Sequence, residues 1–296
     1  MSPLTIRQQV AASGTFSPPP PVPPDPPTYL GLATDPALGY QGWRDFTATY
    51  GRPTHRRSYD TGAPAWINHI GHYDQLTPPN GTGASVSIPS IKPNVANTLS
   101  GALDSYFDQL ALDLPDGTIV SIWHEPENDF VAANGLSQAD YKAVQARAIP
   151  RMRAVRPNLK FACILTIGAF EGGKIGTSWI PFDGGGSPYV DMVCVDVYNG
   201  FGVGTRPWKS FQERVEPTFL AQMVPTGIPY GATEVGTRAD PADLTRRATW
   251  ITQGWTYAKQ ANFTNWCYWS QGDYVLTGDA NTLAAWTSVV NSPWTP

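Results

Sequence analysis

The sequence predicts an α/β protein that forms a single (β/α)8 barrel, in which eight parallel strands close into a ring with helices outside it. Eight short apolar runs, with helical segments between them, span residues 28–296, which matches this barrel in repeat number and length. Several runs are nearly continuous in Val, Ile and Cys, as in parallel strands covered on both faces. The alternative is an open doubly wound sheet, which usually carries a Gly-rich phosphate loop after its first strand. Here DPALGY follows the first run and does not match such a loop.

The strands are predicted from these short runs, of which the second, HRRSYD, is the most polar. Helices are predicted where apolar residues recur at helical spacing. One helix begins after Ser137, a suitable N-cap, and contains Pro150, which is expected to kink or end it. Another begins with Asp240 as its cap and Pro241 in its first turn. The predicted strands are 28–34, 55–60, 84–89, 118–125, 160–168, 190–198, 228–236 and 265–272, and the predicted helices are 97–113, 136–155, 240–261 and 282–290.

The residues before the barrel form a separate region. Residues 18–27 read PPPPVPPDPP, which predicts an extended polyproline spacer, so residues 1–27 are an N-terminal arm with a proline-rich tether and 28–296 are the barrel. The N-terminus lacks the basic start and apolar core of an ordinary signal peptide. No apolar run is long enough to insert into a membrane.

Composition narrows the class of partner. The formal net charge is −4, from 24 acidic and 20 basic residues, which leaves no basic footprint for nucleic acid. The chain has 11 tryptophans, and an aromatic face is a common surface on which sugar rings stack. A protein that binds carbohydrate is therefore favoured over one that binds nucleic acid or membrane.

Polar side chains gather where the predicted strands end. The active site of a (β/α)8 barrel is built at the carboxyl ends of its strands, so these residues are the candidates. Tyr59 and Asp60 are further candidates for binding groups. The main candidates are Arg57 in the second strand, Trp123, His124 and Glu125 at the end of the fourth with Glu127 just beyond it, Asp196 and Tyr198 in the sixth, Glu234 in the seventh and Trp269 in the eighth.

Two carboxylates on strands four and seven face each other across the barrel mouth, as a retaining glycosidase requires. One carboxyl acts as general acid and then base, and the other attacks the anomeric carbon from about 5–5.5 Å away. An arginine, Arg56 or Arg57, and a tyrosine hydroxyl would hold the nucleophile ionised. Asp196 is either a further substrate-binding group or a structural acid bonded to neighbouring backbone.

Strand four ends in two glutamates that compete for the catalytic role. Pro126 stiffens the backbone directly after Glu125, which favours Glu125. Glu127 would then bind substrate or pair with an arginine. His124 would hydrogen-bond substrate or orient Glu125, and Trp123 is a further candidate for substrate contact.

The motifs WHEPEN at 123–128 and ATEVG at 232–236 resemble the clan A glycoside hydrolases, which are retaining (β/α)8 enzymes. Most of that clan has Asn before the acid/base, whereas His124 stands there in this chain, as in the β-mannanase-like branch. The resemblance implies that Glu125 is the acid/base and Glu234 the nucleophile. It also implies that Tyr198 contacts the nucleophile and that Trp269 is the aromatic platform. No motif names the sugar.

The proline-rich lead without a signal peptide is similar to bacteriophage tail-associated depolymerases. That likeness implies an extracellular or virion-associated protein whose arm attaches to a larger assembly such as a virion tail. The expected activity is cleavage of a polysaccharide, endo-acting and with retention, without a metal or other cofactor. The alternatives are a non-catalytic carbohydrate-binding or structural tail protein and a metal-dependent barrel hydrolase.

Overall fold

Eight parallel strands form a closed barrel in sequence order, β1 to β8. The structure is a computed structural model that describes residues 29–34, 39–51, 53–60, 86–130 and 135–292. The predicted fold class is confirmed, including the polar second strand, in which Arg57 and Ser58 are buried. The strands are β1 Tyr29–Thr34, β2 His55–Asp60, β3 Val86–Ile91, β4 Ile119–Ile122, β5 Lys160–Thr166, β6 Met192–Asn199, β7 Tyr230–Thr237 and β8 Asn265–Ser270.

Helices cover the outside of the barrel. A π-helical turn, Pro126–Phe130, follows β4, and a second one, Glu216–Leu220, joins the two short helices after β6. No helix in the described residues is long and apolar enough to cross a membrane. The α-helices are α1 Gly39–Tyr50, α2 Val95–Ser100, α3 Asp104–Asp113, α4 Gln138–Val155, α5 Phe211–Val215, α6 Ala221–Met223, α7 Arg246–Gln260 and α8 Ala280–Asn291.

Two helix predictions need correction. The segment 97–113 is two helices, because Gly101 has φ 88° and its N–H bonds to the Thr98 carbonyl, which ends α2. The predicted helix after Ser137 is confirmed as α4, and Pro150 lies inside it without ending it, since the apolar face is buried on both sides of the proline. The third helix begins at Arg246 instead of Asp240, whose carboxylate caps a turn at Ala242 and pairs with Arg246.

The hydrophobic core has two parts. The larger part lies between the barrel and its helices. The smaller one fills the barrel interior, where side chains at alternate positions of each strand point inward. It consists of Ile88, Ile119, Ala162, Ile164, Met192, Cys194 and Cys267, which we call the barrel floor. Its two cysteines, Cys194 and Cys267, are free and buried.

Strand β7 carries an irregularity next to the barrel mouth. Its pairing with β6 runs from Val195 opposite Ala232 to Asp196 opposite Glu234, so Thr233 is an extra residue in β7. Such a bulge re-aims the side chain that follows it. Here that side chain is Glu234, which lies inside the mouth beside Asp196.

Candidate active site

Glu234 is held by three donors from two other strands. The Tyr59 hydroxyl donates to Oε1 at 2.6 Å and the Tyr198 hydroxyl donates to Oε2 at 2.5 Å. Arg57 Nη2 lies 3.3 Å from Oε1. These contacts occupy both oxygens as acceptors and fix the direction of the carboxylate within the mouth.

The arginine and tyrosines are themselves fixed. Arg57 is fully buried, and its Nη1 donates to the carbonyls of Ser58 and Ile88 at 3.0 Å each. Its guanidinium lies 4.2 Å from the centre of the Tyr59 ring. Burial raises the pKa of Tyr59 and Tyr198 well above the ordinary value, so both hydroxyls keep their protons and remain donors to Glu234.

Glu125 reaches the mouth through an unusual turn. Trp123 has φ 58° and Glu125 has φ 49°, conformations that non-glycine residues rarely adopt. Two such residues around His124 end β4 at Ile122 and turn the chain over the end of β5, where the Glu125 N–H donates to the Ile164 carbonyl at 2.8 Å. Backbone strain of this kind persists only where the surroundings enforce it, and it clusters at functional sites.

Three carboxylates converge at the mouth. One oxygen from each of Glu125, Asp196 and Glu234 lies within 4.8 Å of the others. Asp196 is 1% exposed, and its Oδ1 accepts a hydrogen bond from the Thr233 hydroxyl at 2.7 Å. Burial, together with Glu234 and Glu125, raises the pKa of Asp196 well above its ordinary value. A proton on Asp196 would lower the repulsion among the three groups.

His124 lies next to this cluster as a neutral imidazole. Burial lowers the pKa of His124 well below its usual value, with further contributions from Arg57 and Lys92. The His124 ring lies 5.5 Å from that of Tyr59. Its buried Nδ1 has no hydrogen-bond partner among the described residues. A bound molecule could satisfy that nitrogen.

Glu127 lies outside the carboxylate cluster. Its Oε1 accepts a hydrogen bond from the Thr166 N–H at 2.5 Å, which ties the π-helical turn to the end of β5. Burial raises the pKa of Glu127. Of the two glutamates that follow β4, only Glu125 is within reach of Glu234.

The aromatic candidates separate into two environments. Trp269 lies at the end of β8, half-buried, with its ring 5.1 Å from that of Tyr59. Trp123 instead packs in the hydrophobic core, and its indole N–H bonds to the Pro93 carbonyl at 2.9 Å. That is the placement of a core residue, so we leave Trp123 out of the substrate-contacting set proposed below.

Tyr59 has a more direct role at the site than its sequence position indicated. Sequence reasoning identified Tyr59 only as a further binding group, whereas the structure places its hydroxyl on Glu234. The alternation of inward-facing residues in β2, which includes Arg57 and Tyr59, is the signal that could have identified it. Asp60 ends β2, and its side chain is outside the described part of the molecule.

The three carboxylates also form a set of oxygens that a divalent cation could use. The Arg57 guanidinium on Glu234 opposes this, because it already neutralises one of the three charges. The hydrogen bonds from two tyrosines further reduce the lone pairs that Glu234 can offer. These contacts favour an organic substrate at the mouth over a resident metal ion.

The chain matches no protein-family model and no curated protein. It is similar in structure to glycoside hydrolases of family 5. A broad-specificity endoglucanase of that family from Bacteroides salanitronis has 15% identity and a TM-score of 0.55 over 90% of this chain and 93% of its own. A β-mannanase from a symbiotic protist of the termite Reticulitermes speratus has 12% identity and a TM-score of 0.56 over 90% and 88%.

A family 5 enzyme from Prevotella bryantii, solved with a xyloglucan oligosaccharide, has 16% identity and a TM-score of 0.56 over 88% of this chain and 92% of its own. The class that the fold defines is thus a (β/α)8 barrel of the kind found in these hydrolases. At this identity the likeness concerns the fold, and the chemistry has to be argued from the side chains of this chain.

Proposed function

We propose that this protein is a glycoside hydrolase that cleaves a polysaccharide with retention of configuration, with Glu125 as the acid/base and Glu234 as the nucleophile. One observation carries the proposal: oxygens of the two glutamates lie within 4.8 Å of each other across the barrel mouth. This separation suits direct attack by one carboxylate. An inverting pair lies about 6.5–9.5 Å apart to leave room for water.

The surroundings of the two glutamates support their different roles. Glu234 faces Arg57 and accepts hydrogen bonds from two tyrosines, which suits a carboxylate that attacks as an anion. Glu125 is the partly exposed member of the same cluster and faces Glu234, so it is the carboxyl left to give a proton to the leaving sugar.

The groups around the glutamates suit a sugar ring. Trp269 supplies an aromatic face next to Tyr59, and the His124 Nδ1 supplies a hydrogen-bonding atom. In the proposed reaction Glu234 forms a covalent glycosyl-enzyme while Glu125 protonates the leaving oxygen. Glu125 then takes a proton from the water that hydrolyses the intermediate. The related folds named above include enzymes described as an endoglucanase and a β-mannanase, which favours an endo-acting enzyme on a β-linked polysaccharide.

The test is an assay of reducing-end release over a panel of neutral and acidic polysaccharides, with the first-formed anomer followed by NMR. The wild type is expected to release sugar with retention, and Glu125→Gln and Glu234→Gln are each expected to abolish release. First formation of the inverted anomer would overturn the mechanism. A wild type that binds glycans but cleaves none would instead identify a non-catalytic carbohydrate-binding protein.

Chelation distinguishes a metal-dependent hydrolase from the two-glutamate mechanism. Under the two-glutamate mechanism, activity after prolonged treatment with EDTA is expected to equal that of untreated enzyme. Loss of activity on chelation, restored by a divalent cation, would assign the carboxylate cluster to a metal.

Localisation and attachment remain predictions. Residues 1–28, with the proline-rich tether, lie outside the described residues, and none of the similar structures named above concerns a virion. We propose that the enzyme acts outside the cell, where it would meet a polysaccharide substrate. Attachment of the arm to a virion tail would be tested by looking for the chain in purified particles.

A further inference from the structure

A cationic cavity adjoins the proposed catalytic centre at the ends of β5 and β6. It has a volume of about 500 Å³, and its wall includes Thr166, Tyr198 and Asn199. The Tyr198 side chain separates it from the nucleophile, because the Tyr198 hydroxyl lies 2.5 Å from Glu234 Oε2. A sugar bound here would be next to the sugar that is cleaved.

The charge of this wall is positive. Arg206, Lys209 and Arg214 line the cavity together with a single carboxylate, Glu171. Arg214 is paired with Glu171 at 3.0 Å, so one positive charge is neutralised. None of the salt bridges within the described residues includes Arg206 or Lys209, although Lys209 is near enough to Glu213 to interact with it electrostatically. The protein as a whole is acidic, with net charge −4. A cleft with charges of one sign concentrates ligands of the opposite sign.

The two unpaired cations are held over the cavity. Arg206 packs against the backbone of Gly200, where an added Cβ would lie 3.0 Å from Arg206 Nη1. The backbone of Lys209 is fixed on both sides, since its N–H bonds to Asn199 Oδ1 at 3.4 Å and its carbonyl accepts from the Trp250 indole at 3.0 Å. Both residues lie in the segment that connects β6 to α5, directly beside the mouth.

Arg206 is also within electrostatic reach of Tyr274, a neighbour of Tyr198. Burial raises the pKa of Tyr274, and the Arg238 and Arg206 guanidiniums counteract that rise. The Tyr274 ring lies 5.0 Å from the Tyr198 ring. The positive charge thus extends from the cavity to the edge of the site that holds Glu234.

We infer that this cavity binds a negatively charged substituent of a sugar, the carboxylate of a uronic acid or a sulfate ester, and that the substrate is therefore an acidic polysaccharide. The inference rests on the proposed function for the position of the sugar next to the scissile bond. Guanidinium groups bind carboxylate and sulfate oxygens through paired, charge-assisted hydrogen bonds, and an ammonium adds a point charge. Both cations are exposed to solvent, and a neutral glycan would gain no charge-assisted hydrogen bond from them.

Binding is tested with the full chain carrying Glu125→Gln, so that hydrolysis does not interfere. The measurement is retardation in native gels that contain carboxymethyl-cellulose, carrageenan or hydroxyethyl-cellulose, which supply a carboxylate, a sulfate and no charge. Retardation is expected with one or both acidic glycans, and the stronger of the two identifies the substituent. Arg206→Ala and Lys209→Ala are each expected to weaken that binding by about tenfold. Added salt is expected to weaken it further by screening.

Lys259→Ala is the matched control, because Lys259 lies in the last turn of α7, which precedes the amino end of β8 at the opposite end of the barrel. It removes the same charge and is expected to leave retardation unchanged. Arg206→Lys keeps the charge and is expected to retain part of the binding. Equal retardation by acidic and neutral glycans, or no effect of the Arg206 and Lys209 variants, would overturn the inference.

The parent protein is assayed on the same three glycans and on neutral konjac glucomannan. Cleavage of a neutral glycan that Arg206→Ala and Lys209→Ala leave unchanged would overturn the acidic-substrate inference and keep the proposed hydrolase. Binding of an acidic glycan through Arg206 and Lys209 without any cleavage would overturn the proposed hydrolase and keep the inference that the cavity binds an anionic sugar. Cleavage of an acidic glycan with a KM that rises in both variants and a kcat that does not fall would support both.

Discussion

The lower and upper halves of the barrel interior have the same geometry and opposite chemistry. Along β6 the inward positions are Met192 and Cys194 in the floor, then Asp196 and Tyr198 at the mouth. On β2 the Arg57 side chain is fully buried, and its Nη1 donates to the carbonyl of Ile88, a residue of the apolar floor. The side-chain period is identical in both halves, so only residue type distinguishes the packing layer from the reactive one.

The comparison shows how buried charge can indicate function. The floor is stabilised by removal of apolar surface from water, at about 25 cal/mol per Å². The mouth buries the Arg57 guanidinium and the carboxyls of Asp196 and Glu234, and burial of charge costs free energy that ion pairing only partly returns. A region that keeps such groups against that cost is one whose residues are selected for chemistry.

The largest effect is expected for Glu125→Gln, which should lower kcat by at least about 10³-fold because the leaving group loses its proton donor. The unfolding midpoint should stay the same or rise, since the substitution removes a charge from a crowded cluster. Steady-state kinetics and thermal unfolding on the same sample test both parts. A variant that retains activity would move the acid role to another residue, with Glu127 the first to examine.

The floor should respond in the opposite way. Ile119→Ala leaves a cavity in the apolar layer and is expected to cost about 2–5 kcal/mol of unfolding free energy. Its kcat, corrected for the folded fraction, should stay within a few-fold of the parent value, because Ile119 lies in the floor at the amino end of β4, away from the mouth at the carboxyl end. Urea unfolding and active-site-normalised kinetics measure the two quantities. A large fall in kcat would show that floor and mouth are mechanically coupled.

The two tyrosines on Glu234 should have intermediate effects. Tyr59→Phe and Tyr198→Phe each remove one charge-assisted hydrogen bond, which is worth about 1.5–3 kcal/mol, or roughly 10- to 150-fold in kcat/KM. The double variant should show less than the product of the two effects if the hydroxyls act as a unit on one carboxylate. Tyr257→Phe, on the helix layer, is the control. No loss in either single variant would mean that Arg57 alone suffices to hold the nucleophile.

The smallest expected effect is the change with pH in the unfolding free energy of Asp196→Asn relative to the parent. The pKa of Asp196 is raised in the folded state by burial and by the neighbouring glutamates, so its contribution to stability is present below about pH 4 and is lost as pH rises through the raised pKa. Asp196→Asn should therefore become more stable relative to the parent as pH rises from about 4, by at most about 1.4 kcal/mol per pH unit.

Asp104 provides the contrast for that measurement. Its hydrogen bond to Arg147 lowers the pKa of Asp104, so its contribution is present above about pH 4 and is lost as pH falls. The difference between Asp104→Asn and the parent should therefore be flat over the range in which Asp196→Asn changes. Urea unfolding at several pH values measures both, and a flat Asp196→Asn difference would mean that Asp196 is ionised in the folded protein.

The sequence was sufficient for the eight strands because each is a short apolar run with a clear end. It also located both glutamates, because the carboxyl ends of barrel strands meet at one mouth. The bulge at Thr233 and the left-handed turn at Trp123 were not predictable, since they depend on contacts between strands distant in sequence. For the same reason Trp123 entered the core and Tyr59 reached Glu234. The start of α7 was missed because Asp240 finds its partner within a turn.

The turn around His124 sets stability and catalysis against each other. Residues at positions 123 and 125 each hold a positive φ, at a cost of about 1–3 kcal/mol apiece, and glycine would remove much of that cost. At 123 the loss of the buried indole would outweigh that gain. A library selected only for thermal tolerance should therefore be enriched in replacements at 125, which would discard the proton donor. Substitutions meant to raise the thermal stability of this protein should leave that turn unchanged and be placed in the helix layer.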